Sequence, residues 1–594
     1  MFLSNIKLWN FRRFGSDETT EIFLDKPNLD LQLKEGINVL VGENDSGKTA
    51  IIDAIRLVLK TQDYEWYRIT DEDFYKTSNR FRIELRFDKL ADEEAKNFIE
   101  WISYEDDATS GGKRFYLRLI YDVERNESRI FPSDICAGTG EKGYPLTAEA
   151  KDYLRVTYLK PLRDATTELA PGKYSRLSSI LFSSEVFDKG LKTTELETQL
   201  LDFNHNVETF FSDNTKEGYI IKKIIDDYIQ QFINNTTEST FSFSSTDIKN
   251  ILTKLELQIC NEINPGLGTL NRLYMAAELL NLKRGNWNGL RLGLIEELEA
   301  HLHPQAQMKV IEKLSDSYTN DNIQLILTTH SPNIASKLQI NDLIICIDGK
   351  CYPLGENYTN LEKQDYIFLQ EFLDVTKANL FFAKGLIFVE GWAEQIVLSS
   401  FANFLKNKGI ISKSITEAGV SIINVGSVAF LRYTKIFQRK DSLDINIPIS
   451  IITDSDIRVY EKINDTITKR PTKVIESELS EKITESEKKF NWKSYIKVFL
   501  AEKWTFEYAL YSSKTFSQVF QEIVKNIHKK TDWSNFEPKL AEKLIEQTLD
   551  KTRIAYKLNN EINTNESLIA LKKEDIESDK AISYLVEAIK FVCK

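Results

Sequence analysis

Residues 37–56, INVLVGENDSGKTAIIDAIR, hold an apolar run, a glycine-bounded polar turn and the start of a helical pattern, in that order. Ile37, Val39, Leu40 and Val41 read as a buried strand, and Ile51, Ile52, Ala54, Ile55 and Leu59 recur at the spacing of one helix face. Between them, Gly42-Glu43-Asn44-Asp45-Ser46-Gly47-Lys48-Thr49 satisfies G-x-x-x-x-G-K-[ST] at every fixed position. The order has a chemical reason. Glycines let backbone N–H groups close round phosphate oxygens, and the N-terminus of the following helix favours their negative charge. Lys48 is placed to reach the β- and γ-phosphates, and the Thr49 hydroxyl to bind Mg²⁺. Gly42, Asn44, Ser46, Gly47, Lys48 and Thr49 are therefore the expected nucleotide-binding residues, with ATP as the expected cofactor.

Residues 289–303, GLRLGLIEELEAHLH, add a second nucleotide signature. Leu290, Leu292, Leu294 and Ile295 form a strand that Glu296 and Glu297 close. A carboxylate at such a strand end holds Mg²⁺ through water, and the next polarises the attacking water. That assigns Glu296 to the bound nucleotide and Glu297 to catalysis. Two glutamates at a strand end usually just face solvent; behind a phosphate loop in the same chain they gain the second meaning. Residues 323–330, IQLILTTH, repeat the pattern, with His330 where a strand end reaches the γ-phosphate.

A length of 594 residues suggests about three to four domain-sized units. Hydrophobic residues at 42% and charged residues at 28% are ordinary for a soluble globular chain. No apolar run approaches the ~20 residues of a membrane helix, and MFLSNIKLWNF lacks the regions of a signal peptide. Cys136, Cys260, Cys346, Cys351 and Cys593 include no C-x-x-C pair, which implies a reducing, cytoplasmic location and no zinc site. The net charge of −12 argues against a general coat for nucleic acid but leaves room for a local basic groove.

Phe2, Ile6, Leu8 and Phe11 alternate with polar residues as a first strand. Arg12 and Arg13 follow; the choice there is between contact with nucleotide or DNA and plain solvation, the commoner state of two surface arginines. Residues 81–87 and 115–123 alternate as antiparallel strands joined through a polar turn at 106–113, and residues 156–163 read as a buried strand ending at Pro161. From 178 to 260 glycine is nearly absent and apolar residues take helical spacing, which predicts a pair of long helices inserted in the ATPase, either a partner-binding arm or a plain core arm.

The second half has no phosphate loop. Residues 385–389, GLIFV, form a buried run followed by Glu390-Gly391-Trp392-Ala393-Glu394 and a helical stretch. The strand SIINVGS ends near Gly426, and IPISIITDSD ends in Asp454-Ser455-Asp456. Carboxylates at adjacent strand ends of an α/β chain share a small volume, so a bound cation is their natural counter-charge. Either motif alone is more often an exposed acidic pair; the two together point to metal. Residues 458–489, rich in Lys and Glu, read as a mobile solvated insertion whose Lys469, Arg470 and Lys473 are placed to touch DNA.

The set Gly42–Thr49, Leu292–Glu297, Glu299-Ala300-His301-Leu302-His303-Pro304 and Thr329-His330-Ser331-Pro332 resembles ABC-type ATPases of the SMC/RecF branch. Glu296 stands where many of these carry aspartate. The signature loop that touches the γ-phosphate of an opposite subunit matches best at Pro265-Gly266-Leu267-Gly268-Thr269, which adds Gly266 and Gly268 to the nucleotide set and departs from the usual Ser-Gly-Gly. The resemblance implies a head that dimerises around two ATP molecules. The acidic set of the second half resembles the Toprim domain, and a Toprim domain C-terminal to an ABC ATPase resembles the OLD (overcoming lysogenization defect) family, which includes the nuclease subunit of the Gabija anti-phage system. On that resemblance the metal ligands are Glu390, Glu394, Asp454, Asp456 and, in Lys503-Trp504-Thr505-Phe506-Glu507-Tyr508, Glu507; the basic residue near the C-terminus is Lys551. The stretch FLAEKWTFEYAL around Glu507 opens a helical pattern.

The expected fold is α/β: an ABC/SMC-like ATPase head with a helical insertion, followed by a Toprim α/β domain with a parallel-sheet core. Its expected parts are 1–177, the helical insertion 178–260 as a possible dimerisation arm, 261–375, and the Toprim domain with its helical C-terminal region, 376–594. The expected function is ATP-gated, metal-dependent DNA cleavage in anti-phage defence. Two Mg²⁺ or Mn²⁺ ions would be held by the five acids, with Glu390, Asp454 and Lys551 at the reacting phosphate. Expected partners are DNA, ATP, a second copy of the chain, and a helicase or reverse transcriptase complex; no membrane is expected. The rivals are a non-catalytic RecF/SMC-type scaffold and a toxin-like nuclease effector held by a partner.

Overall fold

The alternation at both ends of the first 126 residues builds one antiparallel sheet in the computed structural model. That model describes residues 1–61, 67–106, 112–126, 129–161, 168–172, 175–182, 187, 195–232, 238–241, 248–259, 266–282, 289–321, 323–426, 430–441, 443, 445–464, 466–490 and 493–593. They fall into two compact units, residues 1–39 with 47–329, and residues 40–46 with 330–594.

In the first unit, β1 (Phe2–Trp9), β2 (Leu29–Gln32), β4 (Arg80–Asp88), β5 (Ile102–Asp106), β6 (Lys113–Asn126), β7 (Arg129–Ile130), β8 (Cys136–Ala137) and β9 (Tyr144–Pro145) share a sheet in the order β2-β1-β4-β6-β8-β9, with β5 and β7 also on β6. β4 and β6 pair antiparallel with Phe81 opposite Val123, as their alternation predicts. The polar turn precedes β6 but leads from β5, which pairs with β6 from Ile102–Leu117 to Asp106–Lys113; residues 107–111 lie outside the described residues. Phe81, Ile83, Leu85 and Phe87 bury one face of β4. Its other face carries an ion-pair ladder: Arg82, fully buried, meets Asp122 at 3.0 Å, and Arg118 meets Glu84 at 2.7 Å. Pairing is what permits a buried guanidinium there, since an isolated one would be expelled.

A second sheet of this unit runs β10 (Thr157–Leu159), β11 (Leu292–Ile295), β12 (Gln324–Thr329) and the start of β3 (Ile37–Val41). β10, β11 and β12 are parallel, with Ile295 opposite both Leu159 and Leu327. Every residue of these four strands is buried, the pattern of a parallel sheet covered on both faces. The helix Lys48–Leu59 follows the phosphate loop. The insertion is a helix pair, Glu195–Ser212 and Gly218–Phe232, packed on each other. Leu201, Phe203, Ile220, Ile221, Ile224 and Tyr228 remain exposed on it. Parts of the 178–260 reading, including residues 188–194 and 233–237, lie outside the described residues.

In the second unit, the end of β3 continues with β13 (Leu343–Ile347) and β14 (Lys350–Pro353), an antiparallel pair with Cys346 opposite Cys351. Their sulfurs lie 3.6 Å apart, both as free thiols. A separate sheet has the order β16-β15-β17-β20, from β15 (Gly385–Val389), β16 (Val420–Asn424), β17 (Ile449–Asp454) and β20 (Ile496–Ala501), all parallel. The first three are the strands read from sequence. β20 corrects that reading: the opening residues of FLAEKWTFEYAL finish a strand, and only Phe506–Ser512 is helical. Phe499, Leu500 and Ala501 share a short apolar run that helix and strand periods fit equally well.

Residues 458–489, most of them exposed, hold a hairpin, β18 (Tyr460–Ile463) with β19 (Thr466–Lys469), and a helix Thr472–Phe490 that packs on β20. Lys469 pairs with Glu537 at 2.9 Å and Arg470 with Glu478 at 2.6 Å. Opposite charges at helical spacing and the buried Ser486 and Phe490 explain why this charged run is helical.

Candidate active sites

The phosphate loop enters its helix through Gly47, whose φ of 107° is left-handed. Gly42 also has positive φ, and a Cβ there would lie 2.4 Å from the Cys346 carbonyl oxygen, so only glycine fits. Ser46 and Lys48 are buried, whereas Asn44 and Thr49 are exposed. The Thr49 hydroxyl is hydrogen-bonded to Glu296, and so is the Tyr158 hydroxyl, which donates to Glu296 Oε1 at 2.7 Å. Glu296 is 2% exposed. Burial first, and then the Asp53 charge, raise its pKa against the two hydrogen bonds. Thr49 and Glu296, distant in sequence, are thus brought together by a direct hydrogen bond.

Two partners of that site were not legible beforehand. Arg56 lies over the Tyr158 ring at 3.7 Å and pairs with Asp53 at 2.7 Å, holding the tyrosine that holds Glu296. Arg12 is not merely solvated: it pairs with Asp53 at 2.7 Å and Asp73 at 3.0 Å. Arg13 stays exposed, with its side chain beside Gly47. Glu297 is half-buried at a φ of 43°, and its N–H donates to Thr328 Oγ1 at 3.0 Å. That bond ties the water-polarising candidate to β12. Gly268, in the helix Leu267–Leu282, would place a Cβ 2.9 Å from the His301 carbonyl oxygen, so the signature helix and the turn after Glu297 approach through this glycine. Gly266 is exposed, and Pro265 lies outside the described residues. His330 follows β12 directly and is exposed.

The second site lies at the carboxyl ends of β15 and β17. Glu390 follows β15, Glu394 lies in the first turn of the helix Trp392–Asn407, Asp454 ends β17 and Glu507 opens the helix after β20. Three parallel strands carry the four acids, which explains how residues 117 positions apart come to share one field. Glu394 is 8% exposed and Glu507 2%. Burial, then the Glu507 charge, push the Glu394 pKa up to about 7. Burial, then Glu394, Glu507 and Glu390, push Asp454 well above the carboxylate range. Burial also raises Glu390, opposed by hydrogen bonds from the Thr453 hydroxyl and from the Asp454 N–H at 3.1 Å. Lys551, first in the helix Lys551–Glu561, places Nζ 2.9 Å from Glu507 Oε2. Burial acts to lower the Lys551 pKa, but Glu507, Asp454 and Glu394 raise it overall.

Asp456 differs from the other acids. It is exposed at a φ of 59°, its N–H donates to the Trp504 carbonyl at 3.1 Å, and its charge acts on Glu390. Among the described residues no three His, Cys, Asp or Glu side chains form a closed ligand set. Thr453, the Asp454 N–H and Lys551 instead take up carboxylate oxygens. The donor set nonetheless fits a hard divalent cation: it is all oxygen, and it brings together more carboxylates than Lys551 offsets. Thr453 and β20 were the missing pieces of the sequence reading; Thr453 had a signal in standing next to Asp454 on the same strand.

A phosphate-loop head with a paired-glutamate strand end, and a parallel α/β domain with clustered acids at its strand ends, define an ATPase joined to a Toprim domain. The family model described as AAA ATPase domain matches residues 1–259 and 173–335, and the model described as Overcoming lysogenization defect protein-like, TOPRIM domain, matches residues 381–456. The chain belongs to this family of AAA ATPases with an OLD-like TOPRIM domain. It is 21% identical to "Endonuclease GajA" of Bacillus cereus (strain HuB5-5) over 100% of this chain and 99% of that protein. It is 23% identical to "Retron Vc95 probable ATPase" of Vibrio cholerae serotype O1 biovar El Tor, over 56% of this chain and 70% of that one. "Retron Ec83 probable ATPase" of Escherichia coli is 22% identical over 54% of this chain and 69% of its own length. No helix among the described residues is long and apolar enough to cross a membrane.

Proposed function

We propose that this chain is an ATP-dependent, divalent-metal-dependent DNA endonuclease acting in anti-phage defence. The observation that carries the reading is the cluster of Glu390, Glu394, Asp454 and Glu507 with Lys551 at the strand ends of an α/β domain, in the same chain as a complete phosphate loop. Likeness to an endonuclease over the full length of both chains supports it.

In this reading Glu390, Glu394, Asp454, Asp456 and Glu507 hold Mg²⁺ or Mn²⁺, two ions being the number such a donor set serves in phosphodiester hydrolysis. Bound there, the metal supplies Lewis-acid stabilisation of the attacking and leaving oxygens. Thr453 and the Asp454 N–H orient Glu390. Lys551 neutralises charge growing on the phosphate, after exchanging Glu507 for the substrate. In the head, Lys48 binds the β/γ-phosphates, Thr49 and Glu296 position Mg²⁺, and Glu297 polarises water. His330, Gly266 and Gly268 complete the nucleotide set, and two heads close on two ATP molecules as a homodimer.

The test is incubation with supercoiled plasmid in Mg²⁺ or Mn²⁺, with and without ATP, beside Asp454→Ala. The parent cuts and Asp454→Ala does not, while both turn over ATP. A variant that cuts as well as the parent removes the Toprim mechanism. Likeness to two proteins named as retron ATPases, over 56% and 54% of this chain, supports the ATPase half of the reading.

A further inference from the structure

The helix Ser583–Val592 packs against β15, β17 and β20, and the Ser450 hydroxyl on β17 donates to the Ala588 carbonyl at 2.8 Å. Asp454 lies four residues beyond Ser450 on that strand, and Tyr584 lies one helical turn before Ala588. The helix therefore sits directly on the strand that ends in Asp454. Its buried residues are Tyr584, Leu585, Val586, Ala588, Ile589 and Val592, of which Tyr584 alone carries a polar side-chain atom. Tyr584 is 7% exposed, and its Oη is buried with no hydrogen-bond partner among the described residues. After burial itself, the groups that act on its phenol are Asp454, Glu394, Glu507 and Glu390, the four acids of the site.

A buried hydroxyl is normally satisfied, and an orphan calls for a physical reason. A phenol is a donor, and ionised carboxylates are acceptors with several lone-pair sites each. The structure sets one donor without an acceptor in the field of four acids whose charge exceeds that of their one lysine. We infer that Tyr584 is a positioning residue of the metal site, unsatisfied without metal and donating its hydroxyl to the ionised Asp454 carboxylate once a cation is bound, so that it holds that ligand in place. The inference rests on reading the acid cluster as a metal site. Groups that orient metal ligands from behind change metal affinity by ~10–100-fold when removed.

The experiment uses the full chain and Tyr584→Phe, which keeps the ring and removes only the hydroxyl. Thermal melting in EDTA, Mn²⁺ binding by calorimetry and the Mg²⁺ dependence of plasmid cleavage are measured together. Tyr584→Phe is expected to melt at or above the parent temperature in EDTA, because it loses an unsatisfied group. Its Mn²⁺ dissociation constant is expected to rise about 10-fold, with half-maximal cleavage moving to higher Mg²⁺ in step. ATP turnover stays at the parent rate. Parental Mn²⁺ affinity in Tyr584→Phe overturns the inference while leaving the metal site standing. A large fall in the EDTA melting temperature also overturns it, since the hydroxyl then supports the fold. A parent chain that takes up no Mn²⁺ refutes the metal site itself, and the inference falls with it.

Discussion

Glu394→Gln removes a charge that the folded chain holds at a cost, and the size of that cost follows from the site. Glu394 is 8% exposed and stands in the field of Glu507, Lys551 and Glu390. Its carboxyl is displaced from an ordinary 4.5 to about 7, by burial first and by Glu507 second. Between those two pH values the folded chain keeps a proton that the unfolded chain has released, so parent stability falls as pH rises through the window. At ~1.4 kcal/mol per pH unit of displacement, the loss reaches about 3 kcal/mol above pH 7. Glutamine cannot ionise and escapes it. In EDTA the variant and parent should unfold alike near pH 4.5, and the variant should be more stable by about 3 kcal/mol at pH 8. Calorimetric scans at half-unit steps of pH, following the transition that also responds to Mn²⁺, read the difference. Divalent cation should reverse the order, because it stabilises the parent by mass action and the weaker-binding variant less. A parent–variant difference that is flat from pH 4.5 to 8 refutes the reasoning, for it would mean that Glu394 ionises in the fold as freely as in water.

Lys48→Ala should abolish ATP turnover, since the phosphates lose their principal cation; hydrolysis at the parent rate would show that Gly42–Thr49 is not the nucleotide loop. Glu297→Gln should bind ATP without hydrolysing it and favour the closed head dimer, and an ATP-loaded variant with unchanged mass on size-exclusion chromatography contradicts that picture. Glu507→Gln keeps the shape of a buried side chain while taking away the negative partner of Lys551. Cleavage should fall by orders of magnitude and recover in part at high Mn²⁺, with ATP turnover unchanged; parental cleavage across a Mg²⁺ titration would reduce Glu507 to a structural ion pair.

The nucleotide motifs were legible because each is local. A buried strand, a glycine-bounded loop and a helix face are written within 20 consecutive residues, and β3, β11 and β12 appear where apolar runs place them. The strand ends carrying Glu390 and Asp454 were legible for the same reason. Glu507 and Lys551 were not: nothing in their spacing links them, and they entered only through resemblance to a family. The structure makes them an ion pair at 2.9 Å. Phe499, Leu500 and Ala501, which open the stretch that reads as helical, fit either period, and pairing of β20 with β17 from Ile449–Ile496 to Asp454–Ala501 settles them as a strand.

By itself the sequence determined the strands that carry its motifs, that a phosphate loop opens the first half, and that acids end two strands of the second. Periodicity and turn chemistry act between neighbours in the chain, so they are recorded there. Only the tertiary structure decided that Tyr158 and Thr49 both bond Glu296, that Arg12 is paired through Asp53 and Asp73, and that Tyr584 lies buried in the field of four carboxylates. Those relations depend on which strand lies beside which, and on how much water the packing excludes. Burial then decides the electrostatics: the carboxylates that sequence identifies are ordinary acids until the fold removes their solvent and sets them against one another.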